Sequence, residues 1–145
     1  MFNKLITSIV LFSSLALSST AYITGVRSES GHYAKVGYNY GITFETAIDF
    51  NEVWDDYSII FGWSAHPTSD PTSIGSFVGS TLDLTSVGEV STGSGTFDTD
   101  VYIDPKLFNT GKVTTYTLNA AVTSIRGPSL YTFVRFLNTT ITVEP

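Results

Sequence analysis

Hydrophobic and polar residues alternate along most of the chain, which is typical of β-strands that bury one face. In residues 38–46 the rings of Tyr38, Tyr40 and Phe44 fall on one face, and small or polar side chains fall on the other. The same period of two predicts strands over further segments, namely residues 22–27, 76–84, 97–103, 116–122 and 135–143.

Residues 57–65 form a denser apolar run, as expected for a central strand that is covered on both faces. Clusters of Gly, Pro, Ser and Asp separate the predicted strands and indicate turns. The best helical signal is residues 104–108, where Asp104 and Pro105 suit a helix start of at most one turn. The pattern therefore predicts an all-β fold: a single antiparallel β-sandwich of about seven strands, immunoglobulin- or fibronectin-like.

The amino-terminal segment predicts a signal peptide over residues 1–21. Lys4 precedes an apolar stretch, residues 5–17, and small residues follow it. Ser19 and Ala21 occupy the −3 and −1 positions that signal peptidase prefers, so we expect cleavage before Tyr22. The apolar stretch is shorter than the roughly 20 residues of a membrane-spanning helix. We therefore expect a secreted, extracellular protein whose sandwich domain spans residues 22–145.

The composition disfavours some classes of partner but does not indicate an activity. The 145 residues are 42% hydrophobic and 14% charged, which is enough apolar material for one folded domain. With 7 Lys and Arg against 13 Asp and Glu, the net charge of −6 disfavours nucleic acid and anionic membranes as partners. The chain has no cysteine, which excludes disulfides, thiolate catalysis and Cys-based metal sites. We expect a monomer.

The titratable residues give weak signals for chemistry. His32 and His66 lie in turn-rich segments without a partner at metal-ligand spacing, and no Gly-x-Ser-x-Gly elbow supports a serine nucleophile. Three acids lie beside Trp54 in the sequence, namely Glu52, Asp55 and Asp56. Paired acids next to an aromatic ring are found in glycosidase clefts, but an exposed acidic loop is the simpler interpretation.

Three further acids, Asp98, Asp100 and Asp104, lack the glycine and the terminal glutamate of a calcium loop. We therefore predict that the protein is not an enzyme. It should have no catalytic residue, no cofactor and no metal.

The aromatic residues suggest a binding surface. Rings such as Trp54, Tyr57 and Trp63 stack on sugars in carbohydrate-binding sandwiches, but Trp63 and Tyr40 fall in inward rows and are expected in the core. Trp54 is flanked by charged residues and is the ring that we expect to be exposed. Asn138 is the single N-glycosylation acceptor and falls on the polar face of the last strand, so it is a glycosylation candidate.

An ordered set of short sequence blocks resembles the fungal necrosis-inducing secreted protein family, which comprises small cysteine-poor effectors of plant-associated fungi. The closest block is Ser124-Ile125-x-Gly127, in which Arg126 stands where the family pattern has tyrosine. The other blocks are residues 22–25, 74–80, 103–105, 107–111, 118–127 and 136–143.

The resemblance implies a virulence effector that suppresses plant pattern-triggered immunity. Its partners would be host receptor-associated kinases, it would provoke host cell death, and it would act outside the host cell or after entering it. The family provides no binding site to transfer residue by residue. Because loops at the end of a sandwich commonly bind partners, we nominate Trp54, Asp55, Asp56, Tyr57, Arg126 and Tyr131 as partner-binding residues. The alternative is a secreted carbohydrate-binding or cell-wall-associated module.

Overall fold

The computed structural model describes residues 21–29, 31–88, 95–109 and 111–145. Of the expected signal peptide, residues 1–20 lie outside these ranges and only its last residue, Ala21, lies within them. The described chain is all-β with almost no helix, and it forms two sheets, one of which curls into a half-barrel. Its strands are β1 (Ala21–Ser28), β2 (Ala34–Lys35), β3 (Asn39–Ile48), β4 (Trp54–Ala65), β5 (Phe77–Asp83), β6 (Gly95–Tyr102), β7 (Thr114–Arg126) and β8 (Tyr131–Glu144).

Strands β1, β3 and β6 form an antiparallel sheet with β3 in the middle. The other sheet has the order β2-β8-β7-β4-β5, and its only parallel pair is β2 with β8. Alternating residues of both sheets meet in one core, as the period-two pattern predicts. Phe44 of β3 and Phe61 of β4 approach across the core, with ring centroids 6.1 Å apart. Trp63 and Tyr40 are both buried, which confirms their assignment to the core.

The segment between β4 and β5 folds back over the outer face of the larger sheet. A Cβ atom on Gly62 would lie 2.0 Å from the carbonyl oxygen of Ile74, so only glycine fits beneath this segment. Asn119 of β7 is buried at the same place, and its Nδ2 donates to Ser64 Oγ at 3.1 Å. This segment explains why the centre of β4 is buried on both faces, although Ile60 further along the same strand is exposed.

Sequence and structure differ at several element boundaries. Each of the seven predicted strands is present, and β2 is an additional strand whose two residues are too few to show a period. Residues 104–108 form a turn in which Asp104 accepts from the backbone of Leu107 and Phe108. The helix of the described chain is instead α1 (Leu84–Val87), which Asp83 caps by accepting from Thr85 N at 2.9 Å. No helix in the described ranges has the length and apolarity needed to cross a bilayer.

Candidate binding surface at one end of the sandwich

Strand pairing brings the two nominated segments together at one end of the larger sheet. Trp54, the first residue of β4, pairs with Arg126, the last residue of β7. Arg126 in turn pairs with Tyr131, the first residue of β8. The turn between β7 and β8 is tied to the preceding loop because Gly127 N donates to the carbonyl of Val53 at 2.9 Å. Residues more than 70 positions apart in sequence therefore form one surface.

Trp54 is buried, so the expectation that it is exposed is wrong. It is only 8% exposed, because Tyr22 of β1 stacks on it with ring centroids 4.5 Å apart. Phe133 packs edge-on at 5.3 Å, and the guanidinium of Arg126 lies 4.7 Å from the Trp54 ring centroid. Flanking charged residues do not keep this ring in water; instead, Arg126 and Arg135 both lie over it in cation–π contacts. Trp54 supports the surface from below.

Asp56 is also buried, which corrects its interpretation as part of an exposed acidic loop. Its Oδ1 accepts from Ser124 Oγ at 2.5 Å, and its Oδ2 accepts from Ile23 N at 2.7 Å. Arg135 Nη2 donates to both carboxylate oxygens, and Arg135 Nη1 donates to the carbonyl of Ile23. The carboxylate thus has a charged partner and further hydrogen bonds, which a buried charge requires. This network fastens β1 to the larger sheet.

The other charged groups of this end are arranged at its rim. Arg126 Nε donates to Glu52 Oε2, and this hydrogen bond raises the pKa of Arg126 above its ordinary value. Asp49 Oδ2 accepts from Trp54 Nε1 at 3.2 Å, and its Oδ1 accepts from Asn51 N at 2.8 Å. The bond from the Asn51 backbone is the main reason that the pKa of Asp49 is lowered. Asp49 and Glu52 therefore hold the loop before β4 in place.

The remaining nominated residues differ in accessibility. Tyr131 is 73% exposed and lines an open cleft of about 490 Å³. Asp55 and Tyr57 are half-buried, and the register of β4 against β7 shifts at Tyr57 to form a bulge. Arg126 is exposed and lines the same cleft. Of the six nominated residues, Tyr131 and Arg126 remain available for direct contact over a large part of their surface.

Three exposed apolar residues complete this end, and the sequence analysis missed them. Phe50 is 87% exposed, Val53 is 51% exposed and Leu130 is 68% exposed. They lie in the two loops that adjoin Trp54, and Leu130 has a positive φ of 53°. The available signal was an apolar side chain inside a segment that otherwise indicates a turn. We define the end surface as Phe50, Val53, Arg126, Leu130 and Tyr131.

The candidate catalytic and metal-binding residues are scattered. His66 Nδ1 lies 3.1 Å from Thr117 Oγ1, and His32 is exposed on another segment. Asp98 and Asp100 are exposed on β6, where Asp98 accepts from Thr43 Oγ1 at 2.6 Å. Within the described ranges, no group of three or more His, Asp or Glu residues is placed to hold a metal ion.

The chain is a small all-β protein with exposed apolar and aromatic side chains at one end of its larger sheet. A family model for the Nis1 family matches residues 19–142, which is most of the chain. The chain therefore belongs to the Nis1 family, a family of fungal effectors. A search of curated proteins found no match to the chain.

Proposed function

We propose that this protein is a secreted, non-enzymatic effector that suppresses plant pattern-triggered immunity by binding host receptor-associated kinases. We also propose that it acts as a monomer and provokes cell death in some hosts. Membership of the Nis1 family carries the effector part of this proposal. The kinase partner and the necrosis-inducing activity rest on the sequence resemblance described above.

The end surface supports a protein partner. Exposed apolar side chains that lie together are costly in water, and burial against a partner recovers that free energy. Aromatic and arginine side chains contribute most to such interfaces, and here Arg126 and Tyr131 are paired strand ends while Phe50 lies in the loop before β4. The buried contacts of Trp54 and Asp56 fix the strands from which these loops extend. A rigid base lowers the entropic cost of binding.

The carbohydrate-binding alternative relies on Trp54 as an exposed platform for a sugar ring. Trp54 is instead buried, with Tyr22 stacked on its ring and Arg126 in a cation–π contact with it. Tyr131 is then the one ring of the nominated set that is largely exposed. Phe50, the other exposed ring of the end surface, does not line the cleft that Tyr131 lines. We therefore favour a protein partner over a glycan.

Direct binding to the kinase domain of a receptor-associated kinase tests the proposal. Replacing Tyr131 by Ala should weaken the affinity at least about tenfold, because an aromatic anchor is lost from the surface. Tyr33→Ala is the matched control, since Tyr33 is 60% exposed but lies on the segment between β1 and β2. Equal affinities of both variants and the parent protein would show that the end surface is not part of the interface.

Expression in plant leaves tests the activity itself. We expect the parent protein to reduce the oxidative burst after an elicitor, and Tyr131→Ala to restore it while accumulating to the same level. Expression with and without residues 1–21 separates the site of action. Suppression without these residues places the action inside the host cell, whereas suppression only with them places it outside. An undiminished burst from both forms would contradict the proposal.

We further propose that residues 1–21 are removed during secretion. Strand β1 begins at Ala21, so cleavage before Tyr22 leaves the Tyr22 ring on Trp54 and Ile23 hydrogen-bonded to Asp56. The mature chain would thus keep the contacts that anchor β1. Determining the amino-terminal residue of protein secreted by a fungal host tests this cleavage site.

We also propose that the fold is a variant of the immunoglobulin and fibronectin sandwiches. One sheet takes strands β1, β3 and β6, while the other takes β2, β4, β5, β7 and β8. The chain therefore crosses between the sheets after β1, β2, β3, β5 and β6, and such crossings are typical of Greek-key sandwiches. An experimental structure would test this classification by the register of its strands and the curvature of its sheets.

A further inference from the structure

We propose that Asn138 carries an N-linked glycan, and that this glycan projects from the side of the sandwich and leaves the end surface free. The proposal rests on the secretion proposed above, because oligosaccharide transfer occurs in the secretory pathway. Asn138, Thr139 and Thr140 form the only Asn-x-Ser/Thr sequence in the chain, and the middle residue is not proline.

The alternation of β8 directs Asn138 away from the core. Leu137 packs against the core cluster, and Ile141 belongs to it. Because successive strand residues point to opposite faces, Asn138 lies on the outer face of the larger sheet, and it is exposed. Thr140, whose hydroxyl completes the acceptor sequence, is exposed on the same face. A glycan at this position displaces no core residue.

The neighbourhood of Asn138 leaves room for a bulky substituent. Its cross-strand partner is Asn119 of β7, which the segment between β4 and β5 covers. That cover ends at β7, because Asn138 on the next strand is exposed while Asn119 is 1% exposed. On its other side, β8 pairs with β2 only at Val143 and Glu144. At position 138, β8 therefore has one hydrogen-bonded neighbour among the described strands.

The position of Asn138 separates the glycan from the end surface. Tyr131 and Asn138 lie on the same strand, seven residues apart. At about 3.3 Å per residue, this corresponds to roughly 23 Å along β8. The side chain of Asn138 also points outward from the face of the larger sheet, whereas the end surface lies at the end of the strands. A protein partner at the end surface is therefore compatible with a glycan at Asn138.

Secretion of the full chain from yeast tests the modification. We expect the secreted protein to shift to one lower mass after digestion with an N-glycosidase. Asn138→Gln and Thr140→Ala should each abolish the shift, because each removes an essential residue of the acceptor sequence. Thr140→Ser is the matched control, since it retains a hydroxyl and should keep the shift. Both altered residues are exposed, so the variants should be secreted at parental levels.

Secreted parent protein without the shift would overturn the glycan proposal while leaving secretion intact. Protein retained in the cell with residues 1–21 still attached would overturn both proposals. Kinase affinity of the glycosylated and the enzymatically deglycosylated protein tests the placement, and we expect the same Kd for both. A weaker Kd for the glycosylated form alone would place the partner on the face of β8. Absence of binding by both forms would overturn the kinase partner and leave the glycan assignment unaffected.

Discussion

Arg135 and Asp56 form a buried ion pair beneath the end surface, with Arg135 Nη2 at 2.7 and 2.8 Å from the two carboxylate oxygens. The pair joins β8 to β4, and through Ile23 it also holds β1. The Asp56 side chain is 2% exposed and that of Arg135 is 18% exposed. The carboxylate of Asp56 on β4 thus bonds to residues of β1, β7 and β8, and these four strands belong to two different sheets.

Removing this carboxylate should destabilise the protein strongly. We expect Asp56→Ala to lower the free energy of unfolding by about 3–5 kcal/mol, because the guanidinium of Arg135 loses its counter-charge in a buried position. Urea unfolding followed by circular dichroism measures the change. Asp100→Ala is the control, since Asp100 is exposed on β6. Similar loss of stability in both variants would contradict the special role of the Asp56 network.

Trp54 should matter for stability and Tyr131 for binding. Trp54→Ala should lower the free energy of unfolding by about 3–5 kcal/mol, since it removes a buried ring and leaves a cavity beneath Tyr22 and Arg126. Tyr131→Ala should change it by no more than about 0.5 kcal/mol, because Tyr131 is largely exposed. Thermal unfolding of both variants checks the contrast. An unchanged stability of Trp54→Ala would contradict the role of Trp54 as a buried supporting residue.

Glycine at position 62 should be required by close packing. In Gly62→Ala the new methyl group would meet the Ile74 backbone carbonyl at 2.0 Å, so the segment over β4 must move. We expect a loss of about 1–3 kcal/mol or more, as for other overpacked sites. In the control Gly25→Ala, the nearest atom is the flexible carboxylate end of Glu45 at 3.0 Å, which can rotate away. Equal stability of the two variants would show that the segment over β4 yields easily.

Tyr40 should contribute to the alkaline limit of stability. Burial raises its pKa above the ordinary value near 10, and its hydroxyl donates to the carbonyl of Glu29 at 2.8 Å. A group with a raised pKa in the folded state contributes stability below its unfolded pKa and loses it as pH rises through the folded pKa. We therefore expect the difference in unfolding free energy between the parent and Tyr40→Phe to shrink above about pH 10. Urea unfolding of both proteins from pH 8 to pH 11 measures it, and a constant difference would contradict the assignment.

The sequence predicted the fold class well because strand periodicity is a local property. The alternation in residues 38–46 and 135–143 is visible from adjacent side chains alone. In the structure β3 begins one residue later, at Asn39, and β8 includes all of residues 135–143. The two-residue strand β2 is too short to carry a period. The turn at Asp104 and the helix at Leu84 both begin with a capping aspartate, so local sequence did not distinguish them.

The candidate site was predicted in position but not in the accessibility of its members. The sequence analysis nominated partner-binding residues within 54–57 and 126–131, and the pairing of β4, β7 and β8 places these segments side by side. Trp54 and Asp56 were misjudged because flanking charges indicate exposure only when no distant residue covers the site. Tyr22, Ser124 and Arg135 provide that cover, and they come from strands far away in sequence.

By itself, the sequence determined the all-β class, the positions of most strands and the candidate segments, because these depend on periodicity, turn residues and composition within a short window. Only the tertiary structure decided which candidate residues support the surface and which ones form it. Burial of Trp54 and Asp56 depends on strands from both sheets, and no local window contains those contacts. The exposure of Phe50, Leu130 and Tyr131 follows from the same packing, since Phe50 and Leu130 lie in loops beyond the strands and Tyr131 is the first residue of β8.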